Sequence, residues 1–145
     1  MFRRILVGFD GSVSSFQALR TTLQMAALTS GEAAVLIVVA DPHGETEEDR
    51  IASFSADARP LEAMAQRELD TAHARNVSTS LHVVTADNPA KAIVAFATRH
   101  GYDLLVAGRH GRERAMHAGL GRVARQLADS ALPLLLVGDG ESRVV

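Results

Sequence analysis

Residues 102–138 read YDLLVAGRHGRERAMHAGLGRVARQLADSALPLLLVG, and this stretch decides how the chain folds. Two short apolar runs, DLLVAG (103–108) and PLLLVG (133–138), enclose a glycine- and arginine-rich loop and a short helical segment, RVARQLADSA (122–131). Apolar runs of this length, bounded by turn residues, read as strands buried on both faces. Strand, loop, helix and strand in that order predict a parallel crossover, which is right-handed. The loop itself is unusual: Gly108 to Arg122, GRHGRERAMHAGLGR, holds four glycines and four arginines. Glycine permits positive φ and lets backbone N–H groups approach a ligand without a Cβ in the way. Two readings follow: a solvated, flexible connection, or a backbone arranged to hold an anion.

The same alternation runs back to the N-terminus. RRILVGF (3–9) is a first buried strand closed by the turn signal DGS (10–12). Ser12 or Ser14 can cap the helix SSFQALRTTLQMAALTS (14–30), in which Phe16, Leu19, Leu23 and Ala26 or Ala27 recur at helical spacing, and Gly31 ends it. AAVLIVV (33–39) is a second strand. The segment ADPHGETEEDRIASFSADARP (40–60), acidic at first and without strong periodicity, reads as a loop or lid. PLEAMAQRELDTAHARN (60–76) is a helix with Pro60 in its first turn, and STSLHVVTA (78–86) a third strand. In DNPAKAIVAFATRHG (87–101), Asn88 caps, Pro89 opens the first turn, and Ile93, Phe96 and Ala97 form the buried stripe. The result is β-α-β-α-β-α-β-α-β, an α/β chain with a doubly wound five-stranded parallel sheet covered by helices on both faces. Its length of 145 residues suits one domain, residues 1–145. In such sheets the ligand site lies beyond the carboxyl ends of the strands where strand order reverses. The first and fourth strands flank that point, and their exits are GFDGS and GRHG.

Composition excludes several classes. A hydrophobic fraction of 47% with 22% charged residues is ordinary for a globular chain. The formal net charge of −2 gives no global attraction to nucleic acid or an anionic membrane. There is no cysteine, hence no disulfide, thiolate metal site or thiol nucleophile. The apolar run near the N-terminus is too short for a signal-peptide core, and no run approaches a bilayer span, so a cytoplasmic location is expected. Lys91 is the only lysine among 15 basic residues, an arginine preference in keeping with base-composition bias. The arginines also cluster: Arg109, Arg112, Arg114, Arg122 and Arg125 are opposed locally only by Glu113.

The chemistry-bearing motifs are few. Gly108-x2-Gly111-x9-Gly121 places a glycine immediately before a helix, where unpaired N–H groups and the helix dipole attract phosphate. No pair among the six histidines has the i, i+4 spacing of a zinc site, and no metal site is expected. Ser12 lacks a nucleophile-elbow context and reads as a helix cap. Neither G-x4-G-K-[ST] nor G-x-G-x-x-G occurs, so P-loop hydrolysis and dinucleotide binding have no support. GETEEDR (44–50) reads as a solvated lid rather than a Mg²⁺ site, with any Mg²⁺ arriving on a nucleotide.

With ILVGFDGS at the start, VVAD after the second strand, AGRHG after the fourth and LPLLLVG at the end, the chain resembles the universal stress protein (UspA-like) family over nearly its whole length. The three spaced glycines match that family's ATP-binding signature, G-x2-G-x9-G-[S/T]. The resemblance implies strand order 3-2-1-4-5, a homodimer paired through the last strand, and, in some members, bound ATP. Carried over residue by residue, it implies Asp10 near ribose and adenine, with Gly8 and Phe9 lining the same wall. Val39 would meet the adenine edge with its backbone. Gly108, Gly111 and Gly121 would cradle phosphate, with His110 between the first two and Val123 at the helix start. The chain departs from the signature at Arg122, which stands where the family has Ser or Thr, and Ala124 is non-polar where a hydroxyl could also have helped.

Two functional expectations follow. One is an ATP-binding regulatory protein of the stress response. The alternative is a nucleotide-free dimeric interaction module that keeps the fold. His110 and His117 are the sole general-base candidates at the phosphate end, so no catalytic residue is assigned, and slow ATP hydrolysis is the most that is expected.

Overall fold

The computed structural model describes residues 2–40, 58–110 and 121–138. The lid reading for 41–57, Gly111 and the rest of the loop to residue 120, and the last seven residues lie outside the described residues. The elements run β1 (Arg4–Gly8), α1 (Val13–Thr29), β2 (Glu32–Ala40), α2 (Arg59–His73), β3 (Ser78–Ala86), α3 (Pro89–His100), β4 (Leu104–Gly108), α4 (Arg122–Ala128) and β5 (Leu134–Val137). The five strands form one parallel sheet in the order β3-β2-β1-β4-β5. β1 lies at its centre, with Ile5 opposite both Ala33 of β2 and Leu104 of β4.

Side chains alternate across a strand, so each central strand feeds two cores. Ile5, Val7, Val35, Ile37 and Val106 pack on one face with Leu19 and Leu23 of α1 and Leu61 and Leu69 of α2. Leu6, Leu36 and Leu105 pack on the other with Ile93 and Ala97 of α3 and Leu127 of α4. Burial on both faces explains why β1 and β4 read as unbroken apolar runs. The edge strands differ from that expectation. β3 is half-buried in alternation, with Val83 41% exposed, and all four residues of β5 are half-buried. Each has a neighbour on one side only, so the helix layer does not close over it.

The helix ends refine the sequence reading. Ser12 rather than Ser14 caps α1, its Oγ accepting from the Ser15 N–H at 3.2 Å; Ser14 is buried. At the far end the left-handed residue is Ser30, with φ 54°, not Gly31. Gly31 is needed for a different reason. A Cβ there would lie 2.5 Å from the Arg3 carbonyl oxygen, the acceptor that starts the β1–β2 ladder through Glu32 N–H at 2.7 Å. Asn88 caps α3 as expected, accepting from Lys91 N–H at 3.0 Å, and Gly101 (φ 73°) ends it. Phe96 is only half-buried; its ring packs 5.0 Å from His82, 4.4 Å from His100 and 6.0 Å from Tyr102.

Candidate functional site

The sheet reverses direction of winding at β1, which pairs with β2 on one side and β4 on the other. The exits of β1 and β4 therefore meet with no crossover between them, which opens a crevice at their carboxyl ends. From β1 the chain turns through Asp10, Gly11 and Ser12. The Asp10 carboxylate accepts the Ser12 N–H at 2.8 Å, and the Asp10 N–H donates to Ser15 Oγ at 3.3 Å. Gly11 has φ 78°, in the left-handed region that favours glycine, and a Cβ on it would lie 2.8 Å from Leu61 Cδ2, the movable end of an α2 side chain.

The β4 exit is tied to the same turn. Ser12 Oγ donates to the His110 carbonyl at 3.4 Å. A Cβ on Gly108 would stand 2.5 Å from Ser14 Cβ and 2.9 Å from the Ser15 nitrogen, so β4 leaves the sheet in direct contact with the first turn of α1. Arg109 bridges onward: its N–H donates to the Val137 carbonyl at 2.8 Å, and its carbonyl accepts the Gly121 N–H at 2.7 Å. These bonds bring Asp10, Ser12, Gly108, His110 and Gly121 into one neighbourhood. Chain separations of about a hundred residues collapse to hydrogen-bond distance. His110 Nδ1 is buried there without a hydrogen-bond partner among the described residues. Such an orphaned polar atom is costly inside a protein and is relieved by a polar ligand. With the Asp10 carboxylate in the neighbouring turn, it gives the exits of β1 and β4 groups that can meet a small polar ligand.

The remaining candidates divide. The Phe9 ring is 1% exposed and edge-on to Phe16 at 5.0 Å, so its side chain belongs to the core. Gly8 is explained by packing, since its absent Cβ would lie 3.2 Å from Ile93 Cδ1. Val39 buries its side chain near the end of β2, opposite Thr85. Arg122 is the first residue of α4 and half-buried, as is Val123 behind it. Ala124 is 3% exposed, so a hydroxyl at that position would sit in the interior. Gly111 lies outside the described residues. The sequence reading missed Ser15, whose hydroxyl supports Asp10; the serine run in DGSVSS was the available signal. Among the described residues no group of three or more His, Asp or Glu side chains could hold a metal ion. Among them, too, no helix is long and apolar enough to cross a membrane.

The model of the universal stress protein family matches residues 1–138. This chain belongs to that family. Solved structures of similar fold include the universal stress protein UspA from Lactobacillus plantarum, at TM-score 0.76 and 21% identity, covering 94% of this chain and 97% of that one. A universal stress protein in complex with cAMP aligns at TM-score 0.68 and 23% identity, covering 96% and 98% of the two chains. The protein from Archaeoglobus fulgidus in complex with dAMP aligns at 0.62 and 20% identity, covering 94% and 98%. In this universal stress protein Gly108 serves the packing of β4 against α1. Arg122 stands at the start of the helix that follows.

Proposed function

We propose that this universal stress protein is an adenine-nucleotide-binding regulatory protein, with ATP as its ligand. The observation that carries the reading is the joining of the β1 and β4 exits through Ser12 and the His110 carbonyl, with Gly108 and Asp10 beside them. Adenine nucleotides in two proteins of the same fold support the ligand class. ATP would lie across the carboxyl ends of β1 and β4. Its adenine and ribose would be near Asp10 and the Val39 backbone, and its phosphates near Gly108, Gly111, His110, Gly121, Arg122 and Val123. Any Mg²⁺ would enter bound to the phosphates. Arg122 would contact phosphate through its guanidinium from further out than a hydroxyl. Residues 1–145 would act as one domain in the cytoplasm, paired as a homodimer through the free edge of β5. Isothermal titration of the purified protein with ATP tests the reading: saturable heat supports it, and no heat up to millimolar ATP overturns it.

Arg122 in place of the signature hydroxyl favours a second reading, a nucleotide-free dimeric module. Native mass spectrometry of protein purified without added nucleotide separates the two. Co-purifying nucleotide excludes the module, whereas a bare dimer that ignores added ATP supports it.

A further inference from the structure

Away from the crevice, a cavity of about 430 Å³ lies between α3 and α4. That is within the size range of small-ligand sites. Its wall includes Ala90, Val94 and Ala95 from α3, and Gln126 and Asp129 from the end of α4, together with Lys91. It shares no lining residue with the nucleotide candidates.

The two charges in this cavity are misplaced by the rules that govern the rest of the chain. Lys91 sits in the first turn of α3, at the positive end of the helix dipole, with no acidic residue in that turn. Asp129 is the residue that ends α4, at the negative end of its dipole. Each charge is thus at the helix end that disfavours it; both residues are exposed, and neither makes an ion pair among the described residues. Arg125, one turn before Asp129, makes no ion pair with it. Lys91 is moreover the only lysine in a chain that otherwise uses arginine for every basic position. Local rules are broken in this way where function requires it. An exposed cation and anion, neither in an ion pair among the described residues, beside alanines and a valine describe the complement of a molecule that carries both charges on a short aliphatic body.

We propose that the cavity between α3 and α4 binds a small aliphatic zwitterion of the α-amino-acid type. Lys91 receives the carboxylate, Asp129 the ammonium group, Gln126 adds an amide hydrogen bond, and Val94 with the alanines packs the side chain. Ser130 also borders the cavity, but its hydroxyl oxygen is closed to solvent and is assigned no contact.

The test uses the full chain labelled with ¹⁵N-lysine, which reports a single backbone amide, titrated with leucine, N-acetylleucine and leucinamide. Leucine is expected to move the Lys91 signal saturably, and the two singly charged analogues to bind about tenfold more weakly. Lys91→Met, which removes the labelled residue, and Asp129→Asn are titrated with leucine by calorimetry, and each should cost about tenfold in affinity with unchanged circular dichroism. The charge-swapped double variant, Lys91→Asp with Asp129→Lys, should recover binding because the zwitterion can reverse. No saturable shift with leucine overturns the proposal. So does equal binding of N-acetylleucine, which would mark a plain anion site, or a Lys91 signal that follows protein concentration rather than leucine, which would mark an interface between copies.

Discussion

Gly108 at the end of β4 and Ser14 in the first turn of α1 approach so closely that a Cβ on the glycine would lie 2.5 Å from the serine Cβ. Two elements far apart in the chain thereby share one wall of the crevice, and the contact leaves no room for adjustment because backbone atoms of Ser14 and Ser15 stand behind it. Gly108→Ala is expected to destabilise the fold by about 1–3 kcal/mol, as overpacking does. Urea denaturation measures this, and ATP titration of the folded variant should show weaker binding because the two exits are pushed apart.

Gly31→Ala is the matched control. Its Cβ would meet the Arg3 carbonyl at 2.5 Å, at the start of β2 and far from the crevice. A comparable loss of about 1–3 kcal/mol is expected, with ATP affinity unchanged. Parallel urea and calorimetric titrations of the two variants separate the packing role of a glycine from its place in the site.

Ser12 has two tasks, accepting from Ser15 N–H at the helix cap and donating to the His110 carbonyl. Ser12→Ala should cost about 1 kcal/mol through the lost cap. Ser12→Asp retains the cap acceptor and should recover most of that stability in thermal unfolding. It also places a carboxylate beside the proposed phosphates, so ATP binding should fall further in Ser12→Asp than in Ser12→Ala.

His82 gives the fold an acid sensitivity. Burial, and then the nearby His100, lower its pKa below the ordinary 6.5, so the folded state favours the neutral ring. The unfolded chain then binds more protons in the interval between the two pKa values, and stability falls as pH drops through it. The contribution is fully present above 6.5 and is lost on acidification to the folded-state pKa, below which it levels off. Urea midpoints measured from neutral to mildly acidic pH should show this fall, and His82→Gln should flatten it.

Much of the architecture was legible because parallel-sheet strands are unbroken apolar runs and helices announce their caps. Asn88 and Gly101 bound α3 as their chemistry requires, and the GFDGS and GRHG turns marked the strand exits that form the crevice. The edge strands were less legible. The same apolar letters in PLLLVG serve a half-buried edge strand as well as a buried one, since exposure depends on what lies alongside. Phe9 was read as a site position from its place in a motif, and only the structure shows that its side chain faces the core. Motif spacing carries no information about which face of a strand or helix a residue occupies relative to its neighbours.

By itself the sequence determined the α/β class, the order of elements, the family and the two turns between which a ligand would lie, because these depend on local periodicity and turn chemistry. Only the tertiary structure decided that Ser12 reaches the His110 carbonyl, that Gly108 must yield space to Ser14, and that Lys91 and Asp129 share a cavity. Those relations join residues 98, 94 and 38 positions apart, and such distances are set by how helices seat on a twisted sheet, not by any local preference of the chain.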